Sequence, residues 1–364
     1  MSYRNKVIAA ALLSLATLAP AGFASAADLP YKVKAKPVSD VPFFLVVDNR
    51  VTYSWMPKGT DPGAFSVKPG GYDGTTAKSV YSFTHFDVWA YGTNFFTISL
   101  FKSYHNDPAG PCTNAGTIFG APANCAGATE VYGLISSTFG WNELFGTKAF
   151  TMGPLHNISF EIGADGETEN SFLAPAKRDF VAGLQFAFDL PYKGYINVAP
   201  LAYKEINHNA FDSCANQFGA GVPGVTCLTD GNTKFKTTWA VEINYYMDLG
   251  FIPEGYQFFS ISGRAGFYGP KGDSNAPLVN IMPSKTEINS EPIRLTFDAS
   301  KAIMGPKYSH FVDVWVAYRY WQNKFGLDHN SAVNGICNAS LNGVITSTNS
   351  CTEQTVYTGV TVKF

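Results

Sequence analysis

Acid–base chemistry in this chain would have to begin at one of its six histidines. Only one of them has a carboxylate beside it: Asp328 and His329 open a long polar stretch and could form an acid/base dyad. A second pairing, "HNIS" at 156–159, sets a serine three residues after a histidine. On a strand that spacing sends His156 and Ser159 to opposite faces, so neither can activate the other. Nothing near Asp328 orients His329, and neither G-x-S-x-G nor H-E-x-x-H occurs. The residues therefore read as ordinary polar positions and the chain as a non-enzyme, with no metal-ligand spacing and no cofactor expected.

The cysteines carry a different chemistry. All six fall into local pairs, Cys112/Cys125, Cys214/Cys227 and Cys337/Cys351, each bracketing a loop-like stretch such as "CTNAGTIFGAPANC". No C-x-x-C pattern is present, so three disulfides are expected, each removing loop-closure entropy worth about 3 kcal/mol in the chain-entropy model. An oxidising compartment fits the N-terminus. Arg4 and Lys6 precede an apolar run from Val7 to Ala19 and the small residues Ala24-Ser25-Ala26, which predicts a signal peptide over 1–26 cleaved after Ala26. Losing Arg4 and Lys6 moves the formal net charge from −2 to −4, a balance that argues against nucleic-acid binding.

A third set of residues could bind a solute. Arg50, Glu242, Arg264, Arg294, Asp298 and Asp313 alternate with apolar neighbours, as do Arg319 and the aromatic residues Phe95, Tyr246, Tyr268, Trp315 and Trp321. Aromatic faces stack flat rings, and charged groups of both signs hydrogen-bond a polar rim, a pairing suited to heteroaromatic or sugar-bearing molecules. Such side chains bind only if one surface gathers them.

The elements that would do so are strands. Period-two alternation marks about twelve, near 43–55, 79–88, 94–104, 128–140, 155–165, 179–189, 194–206, 234–247, 256–268, 291–300, 309–322 and 353–364. In "FFLVVDNRVTYSW" Leu45, Val47, Val51, Tyr53 and Trp55 share one face, and Asp48, Arg50, Thr52 and Ser54 the other. Alternate connections are short, as at 191–194 and 248–255; the others, about 57–78, 105–127, 166–178, 207–233, 269–290 and 323–352, are long. All three cysteine pairs lie in the long ones. This predicts an all-β fold: a transmembrane, antiparallel, up-and-down β-barrel with long outer loops and short periplasmic turns, its apolar face in lipid and its polar face lining a lumen. The barrel is expected over 43–364, after a basic, Pro-containing periplasmic linker at 27–42. A strand running to Phe364 fits closure against the first strand, which leaves no backbone edge in lipid. A terminal aromatic after alternating apolar residues also resembles the signal read by outer-membrane assembly machinery.

The stretch "SFTHFDVWAYGTNFFTISLFKS", with W-x-Y-G at a tight turn and a strand opening N-F-F, resembles the Tsx-like nucleoside-specific channels and the related OmpK proteins. The likeness continues in "GATEVYGLISSTFGWNELFG", "AVEINYYMDLGFIPEGYQFFSISGRAGFYGPKGD" and "VDVWVAYRYWQNKFGLD". It implies a twelve-stranded barrel with a narrow lumen that passes nucleosides by diffusion, and inward positions such as Tyr268, Trp315 and Arg319 as its binding class. The three cysteine pairs and the basic leader depart from the family pattern. The expected setting is the Gram-negative outer membrane, in contact with lipid and lipopolysaccharide. A closed-lumen receptor or adhesion barrel acting through stapled outer loops is the alternative.

Overall fold

Alternation decides the wall. The computed structural model describes residues 43–110, 127–171, 176–208, 233–271, 284–330 and 336–364. Twelve wall strands run through them: β1 (Phe44–Thr60), β2 (Thr75–Trp89), β3 (Gly92–Ser103), β4 (Thr129–Gly140), β5 (Leu155–Glu169) and β6 (Ala176–Leu190), then β7 (Gly194–His208), β8 (Thr238–Asp248), β9 (Phe259–Tyr268), β10 (Glu287–Asp298), β11 (Val312–Gln322) and β12 (Thr352–Lys363). Each pairs antiparallel with its sequence neighbours, and β12 pairs with β1 in the register Arg50 to Lys363, which closes the cylinder. Beyond the last strand, the Phe364 amide still donates to the Asn49 carbonyl at 3.0 Å. No described helix is long and apolar enough to cross a membrane.

The two faces separate as the pleat requires. Along β1, Val47, Val51, Tyr53 and Trp55 are exposed on the outside, while Asp48, Ser54 and Met56 are buried within. β12 repeats this with Val356, Val360 and Val362 outward and Glu353, Thr355 and Tyr357 inward. An exposed apolar belt on a closed sheet is stable only against lipid, since water would face a large hydrophobic surface. Exposed rings at the turn end, among them Tyr91, Tyr192, Phe251, Tyr256 and Phe364, supply an interfacial aromatic girdle.

Several boundaries differ from expectation for one physical reason. The outer strand ends rise past the apolar belt, where both faces are polar and alternation fades. β1 therefore reaches Thr60, β2 begins at Thr75 and β5 extends to Glu169. The first outer loop holds a small hairpin, Ser66–Lys68 with Gly71–Asp73, and the last holds another, Asn338–Leu341 with Val344–Ser347. Two connections at the opposite end stand apart, 141–154 with its expected bounds and 299–311 longer than expected. They fold into short helices, α1 (Trp141–Phe145) and α2 (Ala299–Met304). The disulfide Cys337–Cys351 closes the base of the last hairpin. Cys112, Cys125, Cys214 and Cys227, the signal segment 1–26 and the linker 27–42 lie outside the described residues.

Candidate functional site

All twelve sequence-nominated residues come from inward positions or strand ends, but they sit in three tiers with different chemistry. At the turn end, Asp298 closes β10 and caps α2. Its carboxylate accepts from Ser300 Oγ (3.0 Å), the Lys301 amide (2.8 Å), Ser309 Oγ (2.7 Å) and the His310 amide (2.8 Å). Four donors saturate it, so Asp298 builds the turn and has little left for a solute. The His310 ring bridges the Asp313 carboxylate at 3.0 Å and the Tyr246 hydroxyl at 3.3 Å. That carboxylate holds the imidazole above its ordinary value. Tyr246 stacks on Tyr195 with centroids 6.2 Å apart and donates to Asp248 at 2.6 Å. A cavity of about 280 Å³ opens here, lined by Tyr246, Asp248, Phe258, Lys301 and His310 among others. Arg50 is gripped by both oxygens of Asp48 at 2.7 and 2.8 Å, yet its side chain remains 45% exposed to the lumen.

The middle tier mixes packed and open side chains. Arg294 forms a bidentate pair with Glu291 (2.7 and 3.1 Å) and lies 3.9 Å over the Trp315 ring. Trp315 donates through Nε1 to Thr361 at 3.1 Å and meets Tyr357 edge-on, in a cluster with Met56 and Ala317. It is 4% exposed. This is packing, and an arginine over an indole is a favourable cation–π contact. Phe101 packs against the same cluster, which fixes Phe95, six positions away on β3, on the inward face too. Tyr268 donates to Glu242 at 3.2 Å and leans on Tyr203. Arg264 differs from all of these: it is exposed on the inward face of β9 and has no hydrogen bond or ion pair among the described residues.

The outer tier is filled with charge. Arg319 pairs with Glu353, which also takes Lys324 at 3.1 Å; Lys324 lies 4.2 Å over Trp321, whose Nε1 donates to Glu287 at 2.7 Å. Lys271 contacts Glu205 and lies 3.8 Å from Glu287, and Lys177 pairs with Asp179 at 2.9 Å. Lys78 pairs with Asp61 at 2.7 Å and with Glu130. Buried ions require such partners, because each lost partner would strand an uncompensated charge.

Sequence reasoning missed Tyr195, the four lysines buried among the described residues, Lys78, Lys177, Lys271 and Lys324, and the acids Glu205, Glu287 and Glu291. Tyr195 and Glu205 share the parity of Tyr203 and were legible. Glu287 fell in the stretch expected as a loop, 269–290, and Glu291 was hidden by a β-bulge between Ser290 and Ile293 that reverses the parity of β10 at Pro292. The Asp328–His329 pair separates: His329 Nδ1 meets Asn323 Oδ1 at 2.7 Å, and Asp328 reaches Lys285 at 3.6 Å.

A closed twelve-strand antiparallel wall, apolar outside and polar within, defines a transmembrane β-barrel of the outer-membrane type. No protein-family model matches the sequence, and no curated protein does. Solved structures with a similar arrangement are outer-membrane barrels. The translocator domain of the autotransporter NalP from Neisseria meningitidis has 8% identity and a TM-score of 0.35, over 87% of this chain and 88% of that one. OccK11 from Pseudomonas aeruginosa has 7% identity and a TM-score of 0.32, over 87% and 95%. The toluene transporter TodX of P. putida has 7% identity and a TM-score of 0.29, over 87% and 89%. Likeness at this level concerns architecture alone.

Proposed function

We propose that the protein is a narrow diffusion channel of the Gram-negative outer membrane for small polar solutes, with nucleosides the leading class. The observation that carries this reading is the open part of the lumen wall. Arg264 offers a guanidinium unpaired among the described residues, and Phe95 with the stacked Tyr195–Tyr246 pair offers aromatic surface on the same inward side. Rings along the path can take a flat base by stacking, while Arg264 and Arg50 donate to sugar hydroxyls or ring carbonyls. Several weak sites in series admit a solute without trapping it. The exposure of Phe364, 68% at the turn end, supports its recognition by assembly machinery.

Swelling of liposomes carrying the purified protein tests this. Uptake of uridine or adenosine faster than a sugar of like size is the expected result, with Arg264→Ala reducing the preference. A second reading has its own support. The outer-tier ion pairs are nearly inaccessible, with Lys271 at 3% and Glu205 at 0% exposure, as in a barrel closed at its outer end. Absence of flux for every solute, together with loop-dependent ligand binding, would replace the channel by a closed-lumen surface receptor.

A further inference from the structure

Two groups of metal-capable side chains converge among the described residues, and their hydrogen bonding sets them apart. Asp298, His310 and Asp313 form one. It is already satisfied, because Asp298 accepts four protein donors and His310 is held between Asp313 and Tyr246. Asp61, Glu130 and Glu169 form the other, with one ligand oxygen from each lying within 4.8 Å of the rest. They come from three places in the wall: just past the outer end of β1, near the outer start of β4, and the last residue of β5.

Here the described residues supply too few donors. Lys78 occupies Asp61 Oδ1 and Glu130 Oε1. Asp61 Oδ2 and Glu169 Oε2 are shielded from solvent and meet no donor among the described residues, on residues only 6% and 7% exposed. Were all three carboxylates ionised, the one ammonium in contact with them would leave two negative charges unmatched, and buried ionised oxygens are strongly disfavoured in that state. Exposed acidic clusters are common and need no ion. This one is sheltered, and Glu169 points into it unpartnered.

We propose that Asp61, Glu130 and Glu169 hold a divalent cation of the calcium class at the outer end of the barrel. An all-oxygen donor set suits a hard cation, and a single calcium about 2.4 Å from each oxygen bridges oxygens up to about 4.8 Å apart. Magnesium requires about 2.1 Å and near-octahedral order, a poorer match to oxygens fixed on three separate segments of the chain. The ion neutralises the excess charge and ties the outer ends of β1, β4 and β5 together. Positions 61, 130 and 169 share no local spacing, so no motif announces the site.

The test uses the full barrel refolded in detergent, stripped with EDTA and titrated with CaCl₂ in a calorimeter. One calcium per chain is expected, with a dissociation constant of about 10⁻³ M or tighter, the weaker limit of extracellular calcium modules. MgCl₂ should bind more weakly, and Glu169→Gln should weaken calcium by about tenfold or more, as loss of a ligand demands. Heat-modifiable gel migration shows whether each variant is folded, and Asp61→Asn serves if Glu169→Gln is not. A folded wild-type barrel with no saturable calcium uptake overturns the proposal. So does unchanged affinity in a folded Glu169→Gln or Asp61→Asn barrel, and so does neutralisation by protons alone, seen as carboxyl titration indifferent to calcium.

Discussion

The indole of Trp315 occupies the space that a side chain on Gly359 would need: a β-carbon there would stand 2.4 Å from ring atom Cζ2 and 2.7 Å from the Tyr53 carbonyl oxygen. A bare backbone on β12 therefore lets a large aromatic on β11 press against the inner wall, where Arg294 covers it. Trp315 narrows the lumen by filling it.

Replacing Gly359 with alanine should displace the ring and cost about 1–3 kcal/mol, the usual range for overpacking, read as a lowered urea midpoint. Trp315→Ala should do the reverse to the lumen, giving larger single-channel conductance and altered solute preference in a barrel that still assembles. Assembly failure in Trp315→Ala would mean that this cluster holds the wall.

Arg264 should be separable from stability. With no partner among the described residues, Arg264→Ala should change the unfolding free energy by less than about 0.5 kcal/mol, as for surface changes away from special features. The same variant should move reversal potentials in a salt gradient towards cations, because it removes positive charge from a wall already rich in acids. An unchanged reversal potential would place Arg264 off the conducting path.

His310 predicts a pH response at the turn end. Its folded pKa is raised above 6.5 by the Asp313 carboxylate, so its contribution is fully present below about 6.5 and fades as pH rises through the folded value. Amide exchange of the 299–311 turn should therefore quicken as pH climbs through that window, after correction for intrinsic exchange. His310→Gln should flatten the dependence.

Reducing Cys337–Cys351 should loosen the outer hairpin and leave the wall intact. Both sulfurs lie in a buried cluster with Phe325, Leu327 and Ile336, so reduction should need strong reductant. In the chain-entropy model the crosslink contributes about 3 kcal/mol, confined here to a unit outside the ladder of β1–β12. Proteolysis within 338–347 without loss of heat-modifiability is the expected signature.

The wall was legible because each strand had to show lipid and lumen different faces, and that demand is written locally in pairs such as Val51 and Thr52. What fills the lumen was not. Lys78 meets Glu130, and Lys271 meets Glu205, across distances set by how the sheet closes, which no alternation encodes. Asp298 looked like a pore residue for the same reason, since its role depends on a turn that folds back to supply Ser309 and His310. The helices α1 and α2 were hidden in segments too short for a helical period to register.

The hydroxyls of Thr52 and Thr361 touch at 2.9 Å although 309 residues separate them along the chain. A junction between such distant partners carries the largest loop-closure penalty in the molecule, so it should zip last and open first. Until it does, two unpaired strand edges face outward at once. The half-built sheet is then both most exposed to aggregation and most receptive to a catalyst that lends it a temporary neighbour.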